Sequence, residues 1–115
     1  MAQKTGKNYP KKGEIYWVAL DPTIGSETQK KRPGLIVSSN KFNKYSKVVT
    51  IGPITSQVKK IHPFEVSVNV NGKAGKVMLN QCRAIDKARL GEKIDDIDPM
   101  VMPFVLDAIR LVFDL

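Results

Sequence analysis

Gly13-Glu-Ile-Tyr-Trp-Val-Ala-Leu20, Asp21-Pro-Thr-Ile-Gly-Ser-Glu-Thr-Gln-Lys-Lys-Arg-Pro33 and Gly34-Leu-Ile-Val-Ser-Ser39 follow one another near the start of the chain. The outer two are rich in β-branched, aromatic and aliphatic residues, so they predict two strands joined by a long loop. Long loops on a rigid sheet are where binding and chemistry tend to gather. This one opens with the turn formers Asp21, Pro22 and Gly25, passes through Ser26 and Glu27, and ends in Lys30, Lys31 and Arg32, which Pro33 keeps out of a helix. Hydroxyl, carboxylate and guanidinium groups thus fall within a few residues, a set that suits a phosphate-bearing substrate. A solvated basic loop would carry the same residues, so the stretch alone does not decide between the two.

Downstream, residues 47–56 predict a third strand, bent or bulged at Gly52-Pro53, with the hydroxyls of Thr55 and Ser56 emerging beyond the kink. Residues 64–70 alternate with period two, Asn71-Gly72 supplies a two-residue hairpin turn, and residues 76–79 return. Residues 80–86 predict a further strand and residues 87–91 a short turn ending in Gly91, while residues 40–46 form a polar connection with room for one helical turn. Apolar residues at 101, 104, 105, 108, 109 and 112 predict a helix packed by one face on the sheet, beginning at Asp98-Pro99 or at Met102-Pro103. Asp95, Asp96 and Asp98 lack the central Gly and final Glu of a calcium loop and read as acidic charge at the start of that helix. Trp17, with apolar neighbours on both sides, reads as a core anchor, base stacking being the alternative.

With 115 residues and 42% hydrophobic content the chain has material for one core, so residues 1–10 read as a polar tail and residues 11–115 as a single domain. No apolar run approaches a membrane span and no apolar stretch follows the N-terminal cations, which predicts a soluble, cytoplasmic protein. Cys82, the one cysteine, reads as a buried thiol in a reducing compartment. The formal charge of +8 is uneven: residues 34–63 hold five lysines and no acid, whereas the stretch after residue 94 is acidic. A basic body suits a polyanionic partner. One His and one Cys exclude a Cys/His zinc site, and His62, beside Lys59 and Lys60, reads as a surface residue with a phosphate contact open to it. Gly72-Lys-Ala-Gly-Lys76 fails as a phosphate loop, because its glycine spacing is wrong and Val77 replaces the required hydroxyl residue.

Gly13-Glu-Ile-Tyr-Trp17, Asp21-Pro22, Gly25-Ser26-Glu27, Lys31-Arg32-Pro33, Pro53-Ile-Thr-Ser56, Pro63-Phe-Glu-Val66 and Gln81-Cys-Arg-Ala-Ile85 together resemble, in order and spacing, the MazF/PemK-type toxins over most of residues 11–115. The resemblance implies a mainly β fold with accessory helices, a small SH3-like β-barrel with a C-terminal helix, usually as a homodimer. It implies a metal-independent, sequence-selective endoribonuclease acting on single-stranded RNA without a cofactor, silenced by a cognate antitoxin. Residue by residue, it implies that Arg32 is the catalytic arginine and Thr55 the catalytic threonine, that Ser26 and Glu27 flank the RNA, and that Gln81 lies near the groove.

These residue types fit such chemistry. Attack by the neighbouring 2′-hydroxyl leaves a 2′,3′-cyclic phosphate and a 5′-hydroxyl, and the guanidinium of Arg32 with the hydroxyl of Thr55 would stabilise the crowded phosphorane. Glu27 is a chemically easier general base than an arginine that stays protonated. Ser26, Gln29, Lys30, Lys31, Ser56, Gln57 and Gln81 are the candidates for contacting RNA and reading unstacked bases. A basic groove of this kind invites an acidic, initially disordered antitoxin segment that folds on binding. Two alternatives share the fold: a gyrase poison without nuclease activity, and an inactive basic RNA-binding module. A gyrase poison has no need of the Arg32 and Thr55 pair, and in an inactive binding module Thr55→Ala would alter little beyond affinity.

Overall fold

The computed structural model describes residues 8–20 and 31–115. Its elements are β1 (Glu14–Ala19), β2 (Lys31–Ile36), α1 (Asn40–Tyr45), β3 (Val48–Thr55), β4 (Glu65–Val70), β5 (Lys73–Met78), β6 (Arg83–Asp86), β7 (Leu90–Asp96) and α2 (Met102–Phe113). The strands form one antiparallel sheet in the order β4-β5-β3-β2-β1-β7, with β6 pairing to β3 off that path. The sheet curls into a half-barrel with the C-terminal helix against it, the mainly β architecture expected.

Residues three apart on a strand point to opposite faces, so Ile15 and Val18 of β1 feed two separate cores. Ile15 joins Leu35, Ile54, Val77 and Leu79, covered by Val105 and Ala108 of α2. Val18 joins Ile36, Val49, Ile51, Ile85 and Leu90 on the other face, where β6 and the start of β7 contribute the cover. Both faces of the central strands are thus buried, which is why those strands read as apolar runs rather than clean alternation.

Lys31, Arg32 and Pro33, expected in the loop, instead form the first half of β2, paired with Ala19, Val18 and Trp17. The ladder to β3 starts only at Gly34 with Pro53, so Pro33 occupies an edge position on that side, where a missing N–H is tolerated. The expected kink in β3 takes the form of a change of partners. Residues 48–51 pair with β6 and residues 51–53 with β2, whereas Ile54 and Thr55 pair with Val77 and Lys76 of β5. Gly52 permits the crossing: a Cβ there would stand 2.7 Å from Cγ1 of Val77.

The hairpin forms as expected, with Val70 opposite Lys73 and left-handed φ at both turn residues, 50° at Asn71 and 78° at Gly72. That is the type I′ geometry whose twist matches a hairpin. Residues 79–81 make a 3-10 turn, so the strand expected over 80–86 is confined to Arg83–Asp86. Strand β7 was not legible in the sequence, because its ladder with β1 shifts register twice and destroys the period-two pattern. Asp95 and Asp96 are therefore strand residues opposite Ile15 and Glu14, not helix-start charges. Asp98 does precede the helix, its carboxylate accepting from the Met100 N–H at 2.9 Å, and Pro103 is the proline in the first turn of α2. Cys82 is half-buried rather than enclosed, and burial pushes its thiol pKa up.

Two buried lysines differ sharply. Lys76 donates to Glu65 at 2.9 Å and to the Lys60 carbonyl at 2.7 Å, tying the loop before β4 to β5. Burial alone would raise the Glu65 pKa, but the His62 backbone N–H and the Lys76 ammonium overcome it and hold the carboxyl below its ordinary value. Lys87 is only 6% exposed, and among the described residues its ammonium has no hydrogen-bond partner. Burial pushes its pKa down.

Lys76→Met, which strands the Glu65 carboxylate, should cost ~3 kcal/mol or more in urea denaturation. Because the folded pKa of Glu65 lies below its unfolded value, its stabilisation is present at neutral pH and is lost as pH falls through the depressed folded pKa. Glu65→Gln should flatten that part of the stability–pH curve. Lys87→Met should raise neutral-pH stability by ~1 kcal/mol, since it removes an uncompensated buried cation. The gain should shrink as pH rises from the depressed folded pKa toward that of free lysine, where the parent's Lys87 sheds its proton at no cost.

Candidate functional site

The register between β2 and β3 sets the site. Gly34 faces Pro53 across the ladder, so Arg32 and Thr55, each two residues farther along, lie on the same face. Extending that register would place Arg32 directly opposite Thr55. The ladder stops short of them because β3 has turned to pair with β5, and the two strand ends part to leave a groove of about 410 Å³.

The apolar part of this groove comes from Trp17, Pro33, Ile54, Val70 and Ile94, and the polar part from Lys31, Arg32, Thr55, Ser56, Asn71 and Lys73. The tip of the β4–β5 hairpin forms one wall. Its position is fixed by the Asn71 N–H, which donates to Oδ2 of Asp95 on β7 at 2.9 Å. That bond and the Asp96 N–H hold the Asp95 carboxyl below its ordinary pKa. Gly75 lets the hairpin approach, since a Cβ there would sit 3.1 Å from both Ile54 Cγ2 and the Thr55 carbonyl oxygen.

Arg32 is exposed, and among the described residues no hydrogen bond or ion pair engages its guanidinium. Among the described residues, nothing competes with a ligand for its donors. Thr55 is half-buried, and its Oγ1 accepts the Gln57 N–H at 3.2 Å. That contact orients the oxygen and leaves its own proton available to donate toward the groove. Two donor groups beside an apolar floor are suited to a phosphodiester whose flanking bases rest on carbon.

Of the residues singled out in the sequence, Lys31, Arg32, Thr55 and Ser56 therefore share one groove. Gln57 is exposed just beyond it and reaches the site through its backbone bond to Thr55. Gln81 lies in the 3-10 turn after β5, at the end of that strand away from Lys73, and is not among the groove's lining residues. Its amide donates to Sδ of Met78 at 3.7 Å. Ser26, Glu27, Gln29 and Lys30 lie outside the described residues. His62 stacks on Phe64 at 5.1 Å and does not line the groove.

Trp17 is the main correction. It is 41% exposed and lines the groove, although its strand neighbours Ile15 and Val18 are fully buried. Its cross-strand partner Pro33 lies at the end of β2 where the sheet opens, so among the described residues no further strand covers the indole. Asn71 and Lys73 were missed as site residues. The hairpin that carries them was legible, but its bend toward Thr55 depends on the partner change in β3.

Next to the groove, a wider cleft of about 1060 Å³ lies along the paired strands β1 and β7, lined by Tyr16, Trp17, Lys31, Leu90, Gly91, Glu92 and Lys93. Tyr16 donates to Oε1 of Glu14 at 2.8 Å, and Lys93 bridges Glu14 at 3.2 Å and Asp96 at 2.9 Å. Burial and the Glu14 carboxylate push the Tyr16 pKa up. Burial of Glu14 is outweighed by the Lys11 N–H, Tyr16 and Lys93, which bring its pKa down. The end of β1 is pinned by Arg89, whose Nη1 donates to the carbonyls of Ala19 at 3.1 Å and Leu20 at 3.4 Å.

Known proteins are similar to this chain in both sequence and architecture. The chain is 31% identical over 106 residues to endoribonuclease EndoA of Bacillus subtilis, covering 88% of this chain and 91% of that one. It is 35% identical over 111 residues to endoribonuclease PemK of Escherichia coli, covering 92% and 84% respectively. A MazE–MazF crystal structure from Deinococcus radiodurans superposes with a TM-score of 0.79 at 27% identity, covering 92% of this chain and 96% of that one. The family model for PemK-like, MazF-like toxins of type II toxin–antitoxin systems matches residues 11–113, and the chain belongs to that family.

Proposed function

We propose that this protein is the toxin of a toxin–antitoxin pair and acts as a metal-independent, sequence-selective endoribonuclease on single-stranded RNA. The observation that carries the reading is the placement of Arg32 and Thr55 on one face, at matching ends of β2 and β3, in a single groove. The named relatives are endoribonucleases, which supports the same reaction here.

In this reading the RNA 2′-oxygen, losing its proton, attacks the adjacent phosphorus. The bond from phosphorus to the 5′-oxygen then breaks, and that oxygen takes up a proton to become the 5′-hydroxyl while the 2′,3′-cyclic phosphate forms. Arg32 presents several fixed N–H donors to the charge that builds on the non-bridging oxygens, and Thr55 adds a hydroxyl donor. Glu27 is the proposed general base. Lys31 and Ser56 would hold the flanking backbone and bases, with Ser26, Gln29, Lys30, Gln57 and Gln81 as further contacts. The proposed partner is an acidic antitoxin segment that covers this groove; the MazE–MazF structures of Deinococcus radiodurans support an antitoxin as partner. A homodimer and a cytoplasmic location belong to the same proposal, and no helix among the described residues is long and apolar enough to cross a membrane.

Purified protein in EDTA should cut a long end-labelled single-stranded RNA into discrete fragments with cyclic-phosphate ends. Arg32→Ala and Thr55→Ala should each lower the cleavage rate by roughly 10²-fold or more, the loss typical of removing one transition-state donor. Intact RNA after incubation with folded parent protein would overturn the reading, and gyrase inhibition in the same preparation would replace it. Light scattering should give twice the chain mass at working concentration; a monomeric mass would remove the homodimer.

A further inference from the structure

We propose that Trp17 is a stacking platform for one base of the RNA, placed where the catalytic groove meets the cleft along β7; this rests on the ribonuclease reading above. Trp17 and Lys31 line both hollows, so a strand passing from one to the other must cross the indole. A tryptophan this exposed, on a strand whose adjacent inward residues are fully buried, is left uncovered by the sheet rather than by loose packing. The site is also built to stay open. β7 passes Trp17 at Gly91, where a Cβ would lie 3.3 Å from the Trp17 carbonyl oxygen and 3.4 Å from its Cβ. Any larger residue there would crowd the base of the side chain. On the other side the partner is Pro33, which limits backbone motion beneath the ring.

The charges around the second cleft favour stacking over phosphate capture. Lys93 is engaged by Glu14 and Asp96, and Glu92 adds a negative group, so this cleft offers little net attraction to a polyanion. What it offers is an aromatic face next to Lys31. An aromatic platform of this kind holds any base by its π-face, with weak sequence preference, and contributes binding that removing the ring would reduce roughly 5- to 100-fold. The nucleotide on Trp17 is thus a positioning site beside the bases that are read by hydrogen bonds.

The chain has a single tryptophan, so its fluorescence reports this site alone. Thr55→Ala protein would be titrated with polyadenylate and with an abasic ribose-phosphate chain of the same length. Polyadenylate should quench the emission and the abasic chain should not; equal quenching by both would overturn the platform. On cleavable RNA, Trp17→Ala should raise KM roughly 5- to 100-fold, the loss falling on KM rather than kcat, and Trp17→Phe, which keeps a ring on the strand, should recover most of it. If Trp17→Phe and Trp17→Ala both cleave with the parent's kcat/KM while Arg32→Ala is inactive, the platform is wrong and the ribonuclease stands. If the folded parent cleaves nothing and polyadenylate quenches nothing, both fall.

Discussion

The ladder between β2 and β3 ends at Gly34 and Pro53, and the site follows from that ending. Each strand carries a glycine where another element presses close. A Cβ on Gly34 would stand 2.9 Å from Cγ2 of Val18, and one on Gly52 would stand 2.7 Å from Cγ1 of Val77. The first lets β1 and β2 pack tightly. The second lets β5 replace β6 beside β3, so the last residues of β3 leave with the hairpin and not with β2. A continuous ladder would have brought Arg32 and Thr55 together across a flat sheet surface. The divergence keeps them on one face and opens a groove between them.

Charge in this region is more selective than the formal net charge implies. Lys76 is the cross-strand partner of Thr55, yet its ammonium is turned to Glu65 and the Lys60 carbonyl and serves the fold. Lys93 is likewise committed to two carboxylates. Among the described residues, the groove's own cations are Lys31, Arg32 and Lys73. A phosphodiester would therefore meet a few localised cations over an apolar floor rather than a diffuse positive surface. The Asn71 to Asp95 bond ties the hairpin wall to β7 without placing that carboxylate among the groove residues.

The chain's own residues determined much of this fold and candidate site. Asn71-Gly72 specifies its turn through two left-handed residues, the period of the last segment gives α2, and Gly52-Pro53 marks where β3 must change course. Arg32 stood out as the end of a basic run and Thr55 as a hydroxyl just beyond a kink, but it was the resemblance to the MazF/PemK-type toxins that joined them as a pair. What only the tertiary structure decided depends on neighbours distant in sequence. Strand β7 was hidden because two register shifts break its alternation, and with it went the true place of Asp95 and Asp96. Trp17 reads as core from its apolar neighbours, but exposure depends on whether another strand covers it, and the sheet opens there. Hydrophobicity along a chain records what a residue would prefer to bury; only the packing of the other strands determines which residue is left at the opening.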